Sequence, residues 1–272
     1  MSIKIPDFKL DYVFAIEGHE ELGNSANKPV IVTAINKETG VRSDYVVKLN
    51  ASERMHVEAR MLEILGAFIA IELKIPVVVP AVIEIGQDFC ATLIGKTYFQ
   101  KAGESLGYNV GSEYRSALSI LANNIPLTES QEKIAQHIFA FDLLIENVDR
   151  NNDKPNMLTD GHTLIVLDHE LGFGFMRVLP FLRNQKPWEL GEAELQWITK
   201  HCLYNRLKGK VSELDSFCEK LVTLDAEFWD RAKSLIPPEW IVDDLFNGIK
   251  KHIEAMIINR DEFKKNVKHL LA

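Results

Sequence analysis

The chain has 272 residues, 46% hydrophobic and 26% charged, with a formal net charge of −8 and an isoelectric point near 5.6. This is the composition of a globular protein long enough to bury a sizeable core, and it excludes a disordered or coiled-coil chain. The acidic balance argues against a nucleic-acid binder, because no basic stripe is present to meet phosphates, but it leaves room for a nucleotide site, where only the cleft must be positive.

The first predicted element is a short strand at 12–17, followed by a polar loop at 18–27 with Gly18, Gly23, Ser25 and Ala26. The β-branched run PVIVTAI (29–35) reads as a strand, 37–43 carries turn chemistry around Gly40, and DYVVKL (44–49) is the returning strand. The period then changes. Met55, Met61, Leu62, Leu65, Phe68 and Ile69 recur at helical spacing over 52–73, and Pro76 ends that helix. Two further strands are expected at 77–85 and 89–99, split by a turn at 86–88. The stretch 103–112 reads as a glycine-bearing loop, 113–123 and 129–146 as helices, and 147–155 as a polar turn region. A hairpin is expected from 157–159 and 163–167 around Asp160-Gly161, and helical segments broken near Pro187, Gly209 and Pro237-Pro238 complete the chain. The organisation is α+β, with a strand-rich part at 1–100 and a helix-rich part at 101–272.

Cys90, Cys202 and Cys218 are far apart and form no CxxC pair, so neither a disulfide framework nor a zinc site is indicated. The amino terminus lacks an apolar signal core, and the longest apolar run, 75–83, is short and interrupted by Pro76 and Pro80. The expectation is a cytoplasmic protein with no membrane contact and no direct nucleic-acid binding.

The chemistry concentrates in 141–173, FDLLIENVDRNNDKPNMLTDGHTLIVLDHELGF. An apolar helix end delivers a polar loop with Asp149 and Asn156, and a hairpin strand ends in Asp168. Phosphoryl transfer needs this set: one carboxylate to accept a hydroxyl proton, the other with an amide oxygen to hold magnesium against phosphates. A calcium loop is the sharpest competitor, since Asp149, Asn151, Asp153 and Asp160 fall at ligand spacing, but Lys154 occupies the position that needs glycine. Phosphoryl transfer further requires an upstream strand lysine and a helix glutamate to hold it. Lys48 answers the first. Glu63, mid-helix on the apolar side, answers the second, with Glu58 as runner-up. Small residues around Gly23, Asn24 and Ser25 would let backbone amides approach an anion.

Together these residues resemble the HipA-like kinases, in particular the short single-module branch, distantly similar to phosphatidylinositol-3/4-kinase-like folds. The resemblance runs through LGNSANKPV and YVVKL, LEILGAFIAIELKIPVVVP, FDLLIENVDRNNDKPNML and LIVLDHELGF, and more weakly through IPPEWI and the last helix. It implies a bilobal protein-kinase-like fold: a small antiparallel-sheet lobe over a larger helical lobe. It implies ATP and Mg2+ as cofactors and serine/threonine kinase activity. Carried over, Asp149 is the catalytic base, Asn156 and Asp168 are metal ligands, and Lys48 is the phosphate lysine with Glu63 as its partner. Gly23, Asn24 and Ser25 would cover the phosphates. A hinge strand near 96–100, with Phe99 and Gln100, would hold adenine. Asn156 lies seven residues after Asp149, where kinase-like loops usually place the asparagine at five, so Asn151 and Asn152 stay open as the second ligand. The chain is too short for the extra amino-terminal domain of full-length toxin kinases, so toxin activity and an antitoxin partner do not carry over. Autophosphorylation at Ser25 is a further expectation. The alternatives are a nucleotide-binding pseudokinase or interaction module, and a kinase acting on a small molecule. Nothing in the sequence identifies the protein substrate.

Overall fold

The computed structural model describes residues 1–23, 27–179, 181 and 183–272. Strand β1 (Asp11–Glu21) runs antiparallel to β2 (Val30–Asn36), which pairs with β3 (Arg42–Lys48). Helix α1 (Val57–Glu72) follows, then β4 (Pro80–Ile85), the short helices α2 (Gln87–Thr92) and α3 (Phe99–Gly103), and β5 (Gly107–Glu113). The five strands close into a barrel in the order β1-β2-β3-β5-β4, sealed by a parallel pairing of β1 with β4. The expected small antiparallel sheet is therefore a closed barrel containing one parallel seam. Closure removes the exposed strand edges that an open sheet would leave.

Alternation sets the faces of the barrel. Val13, Ala15, Val32, Tyr45, Val47 and Ile83 belong to one buried cluster, while Val46 and Lys48 point to the opposite side of β3. Gly111 on β5 is required by close approach: a Cβ there would meet the Val46 carbonyl oxygen at 2.3 Å.

Three expectations fail between 89 and 123. The stretch 89–99 is not a strand but α2 and a turn, because Phe89, Cys90 and Leu93 fall at helical spacing and are buried together in the barrel cluster. The strand that completes the barrel is instead β5, in the stretch expected to be a loop, beyond the expected change of character near residue 100. Of its glycines, Gly111 relieves crowding, while Gly107 starts the strand at φ +91° with open space around it. Likewise 113–123 forms no helix: Glu113 ends β5, and the rest contributes the short strand β6 (Ser119–Ile120).

Helix α4 (Glu129–Leu144) starts at a capping box, in which Thr128 accepts from the Gln131 N–H and the Gln131 side chain accepts from the Thr128 N–H. It leads through the loop containing Asp149 to β7 (Met157–Thr159) and β8 (Leu164–Val166), which with β6 make a small sheet. Helices α5 (Glu192–Ile198), α6 (Leu214–Lys220), α7 (Ala226–Leu235), α8 (Asp243–Ile258) and α9 (Arg260–Leu271) complete the helical part. Their buried faces share one core with α1 and α4, through residues such as Phe68, Phe139, Phe217, Trp229 and Phe263. The three cysteines are free and buried. Among the described residues no helix is long and apolar enough to cross a membrane.

Two contacts join the barrel side to the helical side where it matters. Lys74, at φ +61°, turns the chain out of α1, and Pro76 and Val78 then exchange backbone hydrogen bonds with Val166 of β8 at 2.9 and 3.0 Å. The exit of α1 and the strand that delivers Asp168 are thereby held side by side.

Candidate active site

Lys48 ends β3 on its outward face, where three carboxylates surround its ammonium. Nζ lies 2.7 Å from Asp168 Oδ1, 3.0 Å from Glu170 Oε2 and 3.2 Å from Glu63 Oε2. Burial alone would lower the Lys48 pKa, but these carboxylates outweigh it and hold the group well above its ordinary value. Burial likewise works against the Asp168 carboxylate, yet the Lys48 charge keeps it below the usual range. Glu63 does a second job: its Oε2 accepts the backbone N–H groups of His169 at 2.7 Å and Glu170 at 3.0 Å. One helix side chain thus holds both the lysine and the segment that follows Asp168. Glu58 is half-exposed, stands 4.0 Å from His56 Nε2 and is not among the carboxylates that pair with Lys48.

Asp149 faces the same region from the helical side. The Asn156 amide donates to Asp149 Oδ2 at 3.2 Å, and Lys154 Nζ stands 3.8 Å from Oδ1. The Asn151 side-chain Oδ1 is used within the loop, accepting the N–H groups of Asp153 and Lys154 at 2.9 and 3.1 Å, and the Asn152 side chain is exposed. Asn156 and Asp168 both adopt left-handed backbone, φ +44° and +62°. Asn and Asp tolerate this conformation better than other non-glycine residues, and such residues cluster at functional sites.

The buried Arg150 fastens these loops together. Its Nε donates to Asp142 Oδ2 at 2.6 Å, and its Nη1 reaches the carbonyls of Pro155, Asn156 and Leu167. Asp142, fully buried on α4, also accepts from Asn147 Nδ2 and His201 Nε2, each at 3.0 Å. The Leu203 N–H donates to His201 Nδ1, which leaves the ring proton on Nε2 facing Asp142. Burial opposes ionisation of Asp142, but Arg150 and the donors of His201 and Asn147 hold its carboxyl below the usual range. Removing either partner of such a buried pair typically costs about 3–5 kcal/mol, because the other charge is left stranded.

A cavity of about 490 Å³ opens between barrel and helices, in the size range of small-molecule sites. Val46, Ala67, Val110, Leu158 and Ile165 give it apolar walls, while Lys48, Glu63 and Asp168 stand at one side. Gly23 lines it; Asn24 and Ser25 lie outside the described residues. Phe99 and Gln100 do not line it. They sit on α3, where Phe99 is 42% exposed and Gln100 bonds Glu104. The wall assigned to 96–100 is provided instead by 111–115, because β5 rather than 89–99 is the barrel strand that leads into the helical part.

Four contributors escaped the sequence reading: Glu170, Asn27, Arg150 and Lys154. Asn27 Nδ2 donates to Glu170 Oε1 at 2.5 Å, joining the β1–β2 connection to the Asp168 segment. The neighbouring motifs contained all four, but a lone charged or amide residue in a polar loop carries no pattern that separates it from a solvated one.

Comparison with known proteins bears on this arrangement. A search of curated proteins returned no match. A family model described as HipA-like kinase matches residues 38–183, more than half the chain, from the turn before β3 to beyond the Asp168 segment. That stretch contains Lys48, Glu63, Asp149, Asn156 and Asp168, and the family's description names a phosphotransferase chemistry. The chain belongs to the HipA-like kinase family.

Proposed function

We propose that this protein is an ATP- and magnesium-dependent kinase that transfers the γ-phosphoryl group to a serine or threonine hydroxyl of a protein. The observation that carries the reading is the meeting of Lys48 with Glu63 and Asp168 beside Asp149, at the edge of an apolar cavity. In this reading the barrel and α1 form the nucleotide lobe of a bilobal kinase, and the helices form its catalytic lobe. Adenine occupies the apolar cavity against 111–115, with Gly23 and its neighbours over the phosphates.

The donor set fits magnesium. Asp168 and the Asn156 amide offer the hard oxygens it prefers. The ligand atoms of Glu63, Asp168 and Glu170 lie within 4.8 Å of one another, and three carboxylates against the single Lys48 ammonium leave an excess of negative charge. When bound, the ion screens the charge of the triphosphate. The protein's own groups do the rest. Lys48, held by Glu63, stabilises phosphate oxygens. Asp149, oriented by Asn156, accepts the proton of the attacking hydroxyl. Lys154 beside it adds positive charge where negative charge develops.

Transfer of labelled phosphate from ATP with Mg2+ tests the reading. Asp149→Asn is expected to lower transfer by about 10²–10⁴-fold, the usual share of a general base, while the thermal shift produced by Mg2+ and ATP stays near wild type. Wild-type transfer by this variant would overturn the assignment, and nucleotide binding without any wild-type transfer would mark a pseudokinase.

A further inference from the structure

We infer that Arg54 is a further catalytic cation, meeting the transferred phosphoryl group from the barrel side. The inference rests on the kinase reading and names a residue that reading does not use.

A small cavity lies between the two carboxylates of the transfer site, lined by Lys48, Arg54, Asp149, Lys154, Asp168 and Glu170 among others. Three cations line it, and they differ in their commitments. Lys48 is engaged by three carboxylates, and Lys154 stands 3.8 Å from Asp149. Among the described residues, no carboxylate lies within ion-pair distance of the Arg54 guanidinium. In a chain of net charge −8, a part-buried arginine left unpaired at the mouth of the reaction site is the group free to take an anion.

Its backbone is anchored to that site. The Arg54 N–H donates to Asn27 Oδ1 at 3.2 Å, the Asn27 Nδ2 donates to Glu170 Oε1 at 2.5 Å, and Glu170 Oε2 contacts Lys48 at 3.0 Å. Ser52 Oγ adds a bond to the Asn27 carbonyl at 2.9 Å. The segment just before α1 is therefore tied, through two side chains, to the lysine of the site. On the far side, Arg177 donates to the Glu170 carbonyl at 2.9 Å. Burial is the main cause that lowers the Arg177 pKa, and the Arg54 charge lowers it further while Asp149 and Glu170 oppose. The two guanidinium groups thus lie within electrostatic reach of each other, and Asp149 lies within reach of Arg177. An anion placed there relieves their repulsion. The planar fork of arginine matches two phosphate oxygens, which a lysine at the same place would not.

In the reaction, the bond from the attacking oxygen to the γ-phosphorus forms as the bond from that phosphorus to the β–γ bridging oxygen breaks. The released electron pair leaves with ADP, and the hydroxyl proton passes to Asp149. Arg54 changes no bond. It donates hydrogen bonds to the non-bridging oxygens as their charge spreads, the role an arginine supplied within the chain plays in other phosphoryl transfers.

The test compares wild type, Arg54→Ala and Arg54→Lys with Mg2+. Two quantities are read: calorimetric binding of ADP with and without aluminium fluoride, and slow ATP hydrolysis with self-labelling, which needs no known substrate. Arg54→Ala is expected to bind ADP within about threefold of wild type. It should lose the extra affinity that aluminium fluoride confers and lose about 100-fold or more in transfer. Arg54→Lys should fall between, and millimolar guanidinium should restore part of the Arg54→Ala rate, which it would not do for a misfolded variant. An active wild type beside an Arg54→Ala variant with unchanged transfer and an unchanged fluoride effect would overturn this inference alone. So would a loss confined to ADP affinity. A wild type that neither binds ADP nor hydrolyses ATP would overturn the kinase reading and this inference with it.

Discussion

Glu146 illustrates how a single buried residue of this chain departs from its solution behaviour. It sits at the end of α4 with φ +46°, and its pKa is pushed up to about 7, first by burial and then by the neighbouring Glu194, against a hydrogen bond from the Phe175 N–H. Between pH 4.5 and about 7 the folded chain keeps a proton here that the unfolded chain releases. Stability therefore falls as pH rises through that window and stays reduced above it. Glu146→Gln keeps the shape and the hydrogen-bond acceptor but removes the ionisation. It is expected to match wild type near pH 4.5 and to exceed it by up to about 3 kcal/mol at pH 8, read from urea denaturation at the two values. An equal difference at both pH values would show that the proton plays no part. Asp168 has the opposite sign. Its carboxyl is held low, so its contribution is present at neutral pH and is lost as pH falls below the ordinary carboxylate range. At the same scale, Glu170 and Arg150 show what spacing leaves unread. Asp149, Asn156 and Asp168 form a motif whose order implies a shared task, whereas the partner of Arg150, Asp142, is a residue on a helix that looks amphipathic until His201 arrives from a distant part of the chain.

Among the elements, α1 does most to place the site. Gly66 lets it lie directly on the segment after Asp168, since a Cβ there would meet His169 Cβ at 2.5 Å. His169 has little freedom to retreat, because its own N–H is held by Glu63, one turn earlier on the same helix. Gly66→Ala is accordingly expected to cost about 1–3 kcal/mol, as overpacking usually does, and to shrink the thermal shift caused by Mg2+ and ATP. Chemical denaturation and the same shift assay measure both effects; an unaffected shift would mean that α1 moves without disturbing Lys48. Elements with local periodicity were legible beforehand: α1, α4, β2, β3 and the hairpin of β7 and β8. The barrel was not, because its closing seam pairs β1 with β4 across more than sixty residues of chain. Gly111 of β5, which allows Val46 to approach so closely, carries the same letter as a loop glycine.

At the scale of the whole molecule, the family assignment and the geometry converge on one cleft. A net-acidic chain gathers Lys48, Arg54, Lys154 and Arg177 around the carboxylates of Glu63, Asp149, Asp168 and Glu170 between its barrel and its helices. Lys48 and Asp168 are 120 residues apart in sequence, and the pairing of residues 76–78 with β8 and the packing of α1 on the segment after Asp168 help bring them to 2.7 Å. The most direct test is a crystal structure with Mn2+ and a non-hydrolysable ATP analogue, using the anomalous signal of the metal. The account predicts a metal peak about 2.0–2.3 Å from oxygens of Asp168 and Asn156, with the triphosphate reaching Lys48 and the base in the apolar cavity. A nucleotide bound elsewhere, or a metal that avoids Asp168, would contradict it.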